Sequence, residues 1–259
     1  MEVEKSANPI IERTIQALHK KYGNSVISPP PPLEVAPTGL PELDAALGVG
    51  GIPRGRIVEI FGPESAGKTA LALHLARQFK GPALYIDAEH SLTPEQAEGV
   101  RTLNISTLEC ALQVCRTAAA QFDAVILDSL AALPTSWNIE AAPDNYTGDN
   151  TAKMLAHALP PLLGELRRGR CSLIVVNQIR QNVGVIYGNT ERVPGGHALK
   201  HLASVRLDVR RLEKIKNGQE VAGQKIRIRV VKNKCAAPFR EAELIIDYGS
   251  GATVRPCER

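Results

Sequence analysis

A chain of 259 residues with 31 Lys and Arg against 27 Asp and Glu, a net charge of +4, suits one large α/β domain with a short appendage. It contains no run of eighteen apolar residues, and Met1-Glu2-Val3-Glu4-Lys5 is not the start of a signal peptide. Both features argue against membrane insertion or export and predict a cytoplasmic protein. The five cysteines, Cys110, Cys115, Cys171, Cys235 and Cys257, are scattered and never in C-x-x-C spacing, so they read as reduced thiols rather than a disulfide framework or zinc site. The mildly basic balance permits a nucleic-acid partner without requiring one.

In chain order, Pro9 to Tyr22 places Ile10, Ile11, Ile15, Leu18 and Tyr22 near helical spacing with charged residues between, which predicts an amphipathic helix. Ser28 and Pro29-Pro30-Pro31-Pro32 then form a stiff, extended connector. Residues 1–33 are therefore read as an N-terminal helix and linker, an oligomerisation arm able to dock on its own domain or on a neighbour, and 34–259 as the core.

Residues Gly62-Pro63-Glu64-Ser65-Ala66-Gly67-Lys68-Thr69 match G-x-x-x-x-G-K-[ST] between a strand-like run, Arg56 to Phe61, and a helix-like one, Ala70 to Gln78. The glycines let successive backbone N–H groups turn toward phosphate oxygens at a helix N-terminus. Lys68 can then reach the β- and γ-phosphates, and the Thr69 hydroxyl can ligate Mg²⁺. The motif thus predicts nucleoside triphosphate binding.

Ala83 to Asp87, Ala124 to Leu127 and Leu173 to Val176 follow as short apolar strands alternating with helices, the pattern of a mostly parallel sheet with helices on both faces. Each runs into polar residues, Asp87-Ala88-Glu89, Asp128-Ser129 and Asn177-Gln178, and such sheets bind ligands at the carboxyl ends of their strands. Asp128 ends a strand as an acid beside a Thr69-bound Mg²⁺ should, and Glu89 is a candidate base for water. After Lys200, the segments Ser204 to Arg210, Lys225 to Val231 and Glu241 to Tyr248 alternate apolar and polar with turns at Asn217-Gly218 and Ala237-Pro238, which predicts an antiparallel extension of the sheet.

With these elements in place, the string resembles the bacterial RecA recombinases, ATP-dependent filament-forming proteins of homologous recombination and DNA repair. The matching blocks are G-R-I-V-E-I-F-G-P-E-S-A-G-K-T, Y-I-D-A-E-H, V-N-Q-I-R, G-G-H-A-L-K, S-V-R-L-D-V-R-R and V-V-K-N-K-C-A-A-P-F-R, in family order from about residue 10 to 250. The resemblance implies a RecA-like P-loop NTPase core using ATP and Mg²⁺, a DNA-dependent ATPase that assembles head to tail on single-stranded DNA. Glu89 would be the general base, Gln178 a sensor of the γ-phosphate, and Lys232 and Lys234 a pair reaching a neighbour's ATP. Two loops, roughly Glu140 to Asn150 and Ile179 to Leu199, would hold single-stranded DNA. In and around them Val183 would be the apolar wedge, Gly195 and Gly196 would open backbone N–H groups to phosphates, and Lys153, Arg180, Arg192 and Lys200 would supply charge. Both loops lack strand or helix periodicity and are expected to be irregular.

The chain departs from the family pattern away from the nucleotide motif. The adenine-stacking tyrosine falls on Gln96 and its nearby acid on Thr93; a methionine falls on Gly148, an arginine on Pro160, a basic residue on Asn182, and a phenylalanine of the subunit contact on His201. The resemblance stops just past Tyr248-Gly249, before the family's C-terminal domain, so a short form without that module is expected. The alternative implied by these departures is a regulatory or accessory ATPase of DNA damage tolerance that works with a DNA-repair protein partner and exchanges no strands.

Overall fold

The computed structural model describes residues 9–23, 32–140, 150–181, 191–249 and 252–257. The chain divides between Leu33 and Glu34 into two compact units. In the first, helix α1 (Pro9–Tyr22) follows its predicted bounds, with Glu12 in the first turn and His19, Lys20 and Lys21 in the last, each complementing the helix dipole.

The second unit is built on a nine-stranded sheet. Its strands are β3 (Ile57–Gly62), β4 (Ala83–Asp87), β5 (Arg101–Asn104), β6 (Ala124–Asp128), β7 (Ser172–Gln178), β10 (Val205–Asn217), β11 (Glu220–Asn233), β12 (Glu241–Asp247) and β13 (Thr253–Pro256). They lie in the order β13-β12-β11-β10-β3-β7-β6-β4-β5. The six from β10 to β5 are parallel, and β10 through β13 pair antiparallel, as the alternation after Lys200 predicts. Two small ribbons, β1 (Val35–Ala36) with β2 (Ile52–Pro53) and β8 (Arg180–Gln181) with β9 (Glu191–Arg192), stand apart from the sheet.

The apolar strands are buried on both faces, and their period-two alternation sends side chains to two separate cores. Val58, Ile60, Tyr85, Ile126, Ile174 and Val176 pack with Leu43 and Leu47 of α2 (Pro41–Leu47) and Leu71 and Leu75 of α3 (Lys68–Gln78). Ile57, Leu84, Ile86, Val125, Leu127, Leu173 and Val175 pack with α5 (Leu108–Ala118) and α7 (Thr151–Gly169) on the other face. Short helices α4 (Pro94–Ala97), α6 (Ser136–Glu140) and α8 (Gly196–Leu202) complete the unit. Helix α7 continues through Pro160 and Pro161. Both prolines lie on its exposed side, while Leu155, Leu159, Leu162 and Leu166 anchor it to the core, so packing outweighs a local cost of about 3 kcal/mol per proline.

The sheet's outer connections are tied by a two-pronged ion pair. Arg54 donates through Nη1 to Asp123 Oδ2 at 2.9 Å and through Nη2 to Oδ1 at 2.5 Å. Asp123 also accepts from the Gly81 amide. The Arg54 guanidinium holds the Asp123 carboxyl below its ordinary range. A depressed carboxyl adds stability above its unfolded value and loses it as pH falls through the folded one. Asp123→Asn is therefore expected to lower stability by about 1 kcal/mol at pH 7, with the difference closing in acid below the ordinary aspartate range. Thermal melts of both proteins across pH check this. All five cysteines are free, and burial pushes the Cys115 and Cys171 thiols up to about 12, as inert core thiols should be.

Candidate nucleotide site

The register of the parallel strands gathers the predicted polar residues at one edge. Gly62 pairs with Gln178 and Asp87 with Asp128, so the ends of β3, β7, β4 and β6 open on one cavity of about 280 Å³. Its walls include Glu64, Ser65, Gly67, Lys68, Thr69, Glu89, Asp128 and Gln178. Five of these eight come from the single block 64–69, while Glu89, Asp128 and Gln178 come from three further blocks, each separated from the others by at least one strand or helix, and the fold alone brings them together.

The loop from Gly62 to Gly67 curls through left-handed backbone at Ser65 (φ 57°) and Gly67 (φ 90°), the alternation that turns successive N–H groups inward. Gly67 is doubly constrained: besides its φ, a Cβ there would collide with Ile246 Cδ1. Pro63 and Ala66 complete the loop, and Lys68 opens α3. The buried Lys68 ammonium donates to the Pro63 carbonyl at 2.6 Å. Burial pushes its pKa down, opposed by Asp128, Glu89 and Glu64.

Thr69 Oγ1 donates to Asp128 Oδ2 at 2.7 Å, and the Tyr85 hydroxyl donates to the same oxygen at 2.6 Å. Burial pushes the Asp128 carboxyl up, while these two hydroxyls and Lys68 pull it back toward the charged form. Glu89 Oε1 accepts from Gln178 Nε2 at 2.8 Å and from Ser129 Oγ at 2.5 Å. The turn that presents Glu89 is fixed from below: buried Asp87 accepts from the Glu89 and Leu92 amides. Both bonds to Glu89 fall on Oε1; among the described residues, none is found on Oε2. The arrangement is an oxygen-rich pair beside a cation, facing a carboxylate held by an amide. It suits a metal-bound phosphate chain and an adjacent water.

Lys232 and Lys234 lie elsewhere. The Lys232 ammonium donates to the carbonyls of Lys200 at 2.6 Å and His201 at 2.9 Å, and Lys234 donates to His201 at 2.8 Å. Both therefore cover the C-terminal end of α8, where cations offset exposed carbonyls, and neither lines the described wall of the nucleotide cavity.

The second expected DNA loop needs correction. Its ends pair as β8 and β9, with Arg180 opposite Arg192, and its last residues form α8 rather than irregular chain. Gly195 caps that helix with φ 92°, and a Cβ on it would press on Leu130 at 2.9 Å. A Cβ on Gly196 would press on Ala152 of α7 at 2.9 Å. Close packing therefore accounts for both glycines, and it sets them beside the first turn of α7, which carries exposed Lys153. Lys200 is exposed on α8. Val183, and residues 141–149 of the first loop, lie outside the described residues.

Gln96 and Thr93 close on each other. The Thr93 hydroxyl accepts from the Gln96 amide and Gln96 Oε1 accepts from the Thr93 amide, a capping box at the start of α4. Sequence reading missed the far wall, Gln224, Ile246, Tyr248 and Ala252. Only the alternation of β11 and β12 hinted at which of their residues point inward.

Comparison with known proteins agrees with this geometry. The model of the RecA N-terminal domain matches residues 9–253. Protein RecA of Clostridium novyi is 46% identical over 231 residues, covering 85% of this chain and 66% of that protein. Protein RecA of Acidothermus cellulolyticus is 47% identical over 232 residues, covering 85% and 67%. Protein RecA of Thermus thermophilus is 43% identical over 267 residues, covering 96% and 78%. The chain thus spans between 66% and 78% of these relatives' lengths. The crystal structure of the RadB recombinase shares the fold, with a TM-score of 0.62 at 21% identity over 86% of this chain and 100% of that one. Among the described residues no helix is long and apolar enough to cross a membrane. With its family model, its relatives and its fold in agreement, the chain belongs to the RecA recombinase family.

Proposed function

We propose that this chain is a Mg²⁺-dependent ATPase of recombination and DNA repair that acts in the cytoplasm, binds single-stranded DNA, and assembles head to tail through its N-terminal arm. The observation that carries the reading is the meeting, in one cavity, of the Thr69–Asp128 pair and the Glu89–Gln178 pair. Thr69 and Asp128 offer hard oxygen donors that fit Mg²⁺. When bound, the ion neutralises charge on the phosphates. The loop amides and Lys68 bind and orient the phosphate chain. Glu89 takes the proton of the attacking water. Gln178, one residue before the DNA loop, links the state of Glu89 to that loop.

Lys232 and Lys234 deepen the reading. Their ammoniums rest on the C-terminal end of α8, the helix into which the last residues of the expected DNA loop fold. Recruitment to a neighbour's ATP would withdraw two cations from the end of that helix, coupling nucleotide across the boundary to the loop. The accessory reading, an ATPase working with a DNA-repair protein and exchanging no strands, is favoured by one observation: exposed Pro160, followed by Pro161, occupies the α7 position where the family pattern has an arginine.

Steady-state ATP hydrolysis with and without single-stranded DNA, across protein concentration, separates the two. Turnover that rises cooperatively with protein and DNA supports the recombinase; turnover indifferent to DNA supports the accessory ATPase. Lys68→Ala is expected to weaken ATP binding about 100-fold, because it removes charge-assisted bonds to the phosphates. Binding within threefold of the parent, measured by calorimetry, would overturn the assignment of the site.

A further inference from the structure

The one tryptophan of the chain is left outside the core. Trp137, on α6, is 59% exposed, and among the described residues no hydrogen bond or ring contact engages its indole. An exposed tryptophan leaves a large apolar surface in water, and such side chains concentrate where a partner is met.

The backbone beneath the indole is firmly held. Thr135, just before α6, is fully buried, and Glu109 in the first turn of α5 accepts from the Ser136 amide through both carboxylate oxygens, at 3.0 and 3.1 Å. Thr135 Oγ1 accepts from the Asn138 amide at 3.2 Å. A ring presented on a fixed turn loses little further freedom when a ligand covers it.

Topology says what the ring can meet. Strand β6 ends at Asp128 and leads through a short 3₁₀ turn (Leu130–Ala132) into α6, so α6 lies at the carboxyl edge of the parallel sheet. Helix α5 leads to the start of β6 and α7 to the start of β7, so both helices begin at that same edge. The first expected DNA loop, Glu140 to Asn150, joins the end of α6 to the start of α7. The second loop closes beside it: a Cβ on Gly195 would touch Leu130 at 2.9 Å and Leu155 of α7 at 3.2 Å. Exposed Lys153 on α7 and Lys200 on α8 supply cations at this edge, while Pro160 stands where the family pattern has an arginine.

A ring beside cations at the mouths of two loops suits single-stranded nucleic acid, whose unpaired bases stack on the ring while its phosphates meet the lysines. A duplex keeps its base faces covered by one another and cannot use the ring. We infer that Trp137 is a stacking platform for a base of single-stranded DNA, a contact that takes over part of the grip lost with the missing arginine. The inference rests on the DNA-binding reading above.

Because Trp137 is the one tryptophan, its emission reports this contact without a variant. With Mg²⁺ and a non-hydrolysable ATP analogue present, labelled oligo(dT) and a labelled duplex report binding by anisotropy, and the same strands without label are titrated against indole emission. The single strand is expected to quench the emission as it binds, and the duplex to leave it unchanged. Trp137→Leu is expected to weaken single-strand binding about tenfold without altering its dependence on salt, because no ion is involved. Trp137→Phe, which keeps a ring, should recover most of the loss. Equal quenching by the duplex overturns the inference, as does a Trp137→Leu protein that binds like the parent. Emission that follows protein concentration with no DNA present overturns it too, and gives the indole to a second copy of the chain. The two levels separate: a single strand that fails to bind defeats the DNA-binding reading, whereas binding with unchanged emission defeats only the role of Trp137.

Discussion

Glu89→Gln is expected to slow ATP hydrolysis about 10²- to 10⁴-fold while ATP affinity stays within threefold. The substitution keeps the shape of the side chain and its place on the turn fixed by Asp87. It removes the lone pairs that accept a proton from water. Lys68, Thr69 and the loop amides, which carry binding, do not touch Glu89 through any hydrogen bond among the described residues. Turnover and binding should therefore separate in single-turnover kinetics and calorimetry. Turnover equal to the parent would assign the base elsewhere, and a parallel collapse of affinity would make Glu89 a structural residue.

Arg206→Met is expected to cost about 3–5 kcal/mol, because it leaves a charge buried without its partner. Glu59 is 1% exposed on β3, and its carboxylate accepts from Arg206 Nε on the adjacent parallel strand and from Asn177 Nδ2 at 3.2 Å. The guanidinium also stacks 4.5 Å over the Phe61 ring. Asn177 Nδ2 reaches the Pro194 carbonyl as well, at 2.8 Å, so this buried cluster ties the end of β7 to the residues just before α8. A melting temperature lowered by ~10 °C follows from a loss of this size in a domain of this length. The double variant Glu59→Gln with Arg206→Met should recover much of it, since the uncompensated charge is gone. An Arg206→Met protein as stable as the parent would show that the buried pair adds nothing to stability.

The parts of the molecule read from the chain share one property: their physics is local. A phosphate loop works through residues within eight positions, and a strand declares itself by four or five apolar neighbours. Gly62 to Thr69, the strand Ala83–Asp87 and the antiparallel hairpin at Asn217-Gly218 therefore stand where the sequence put them. The stretch before Lys200 was harder for the same reason. Helix α8 has seven residues, too few for a periodic signal, and only contacts with α7 and β3 make it a helix.

The sequence by itself determined the nucleotide motif, the mostly parallel sheet and the family, because each is written in short blocks whose chemistry needs no distant partner. Tertiary structure alone decided how those blocks meet. Strand register set Glu59 against Arg206, 147 positions away, and Glu89 against Gln178, 89 away. The return of β11 and β12 placed Gln224 and Ile246 beneath Gly67. Such pairings carry no spacing in the chain, since what brings the residues together is the burial of strands they happen to share rather than any attraction of their own.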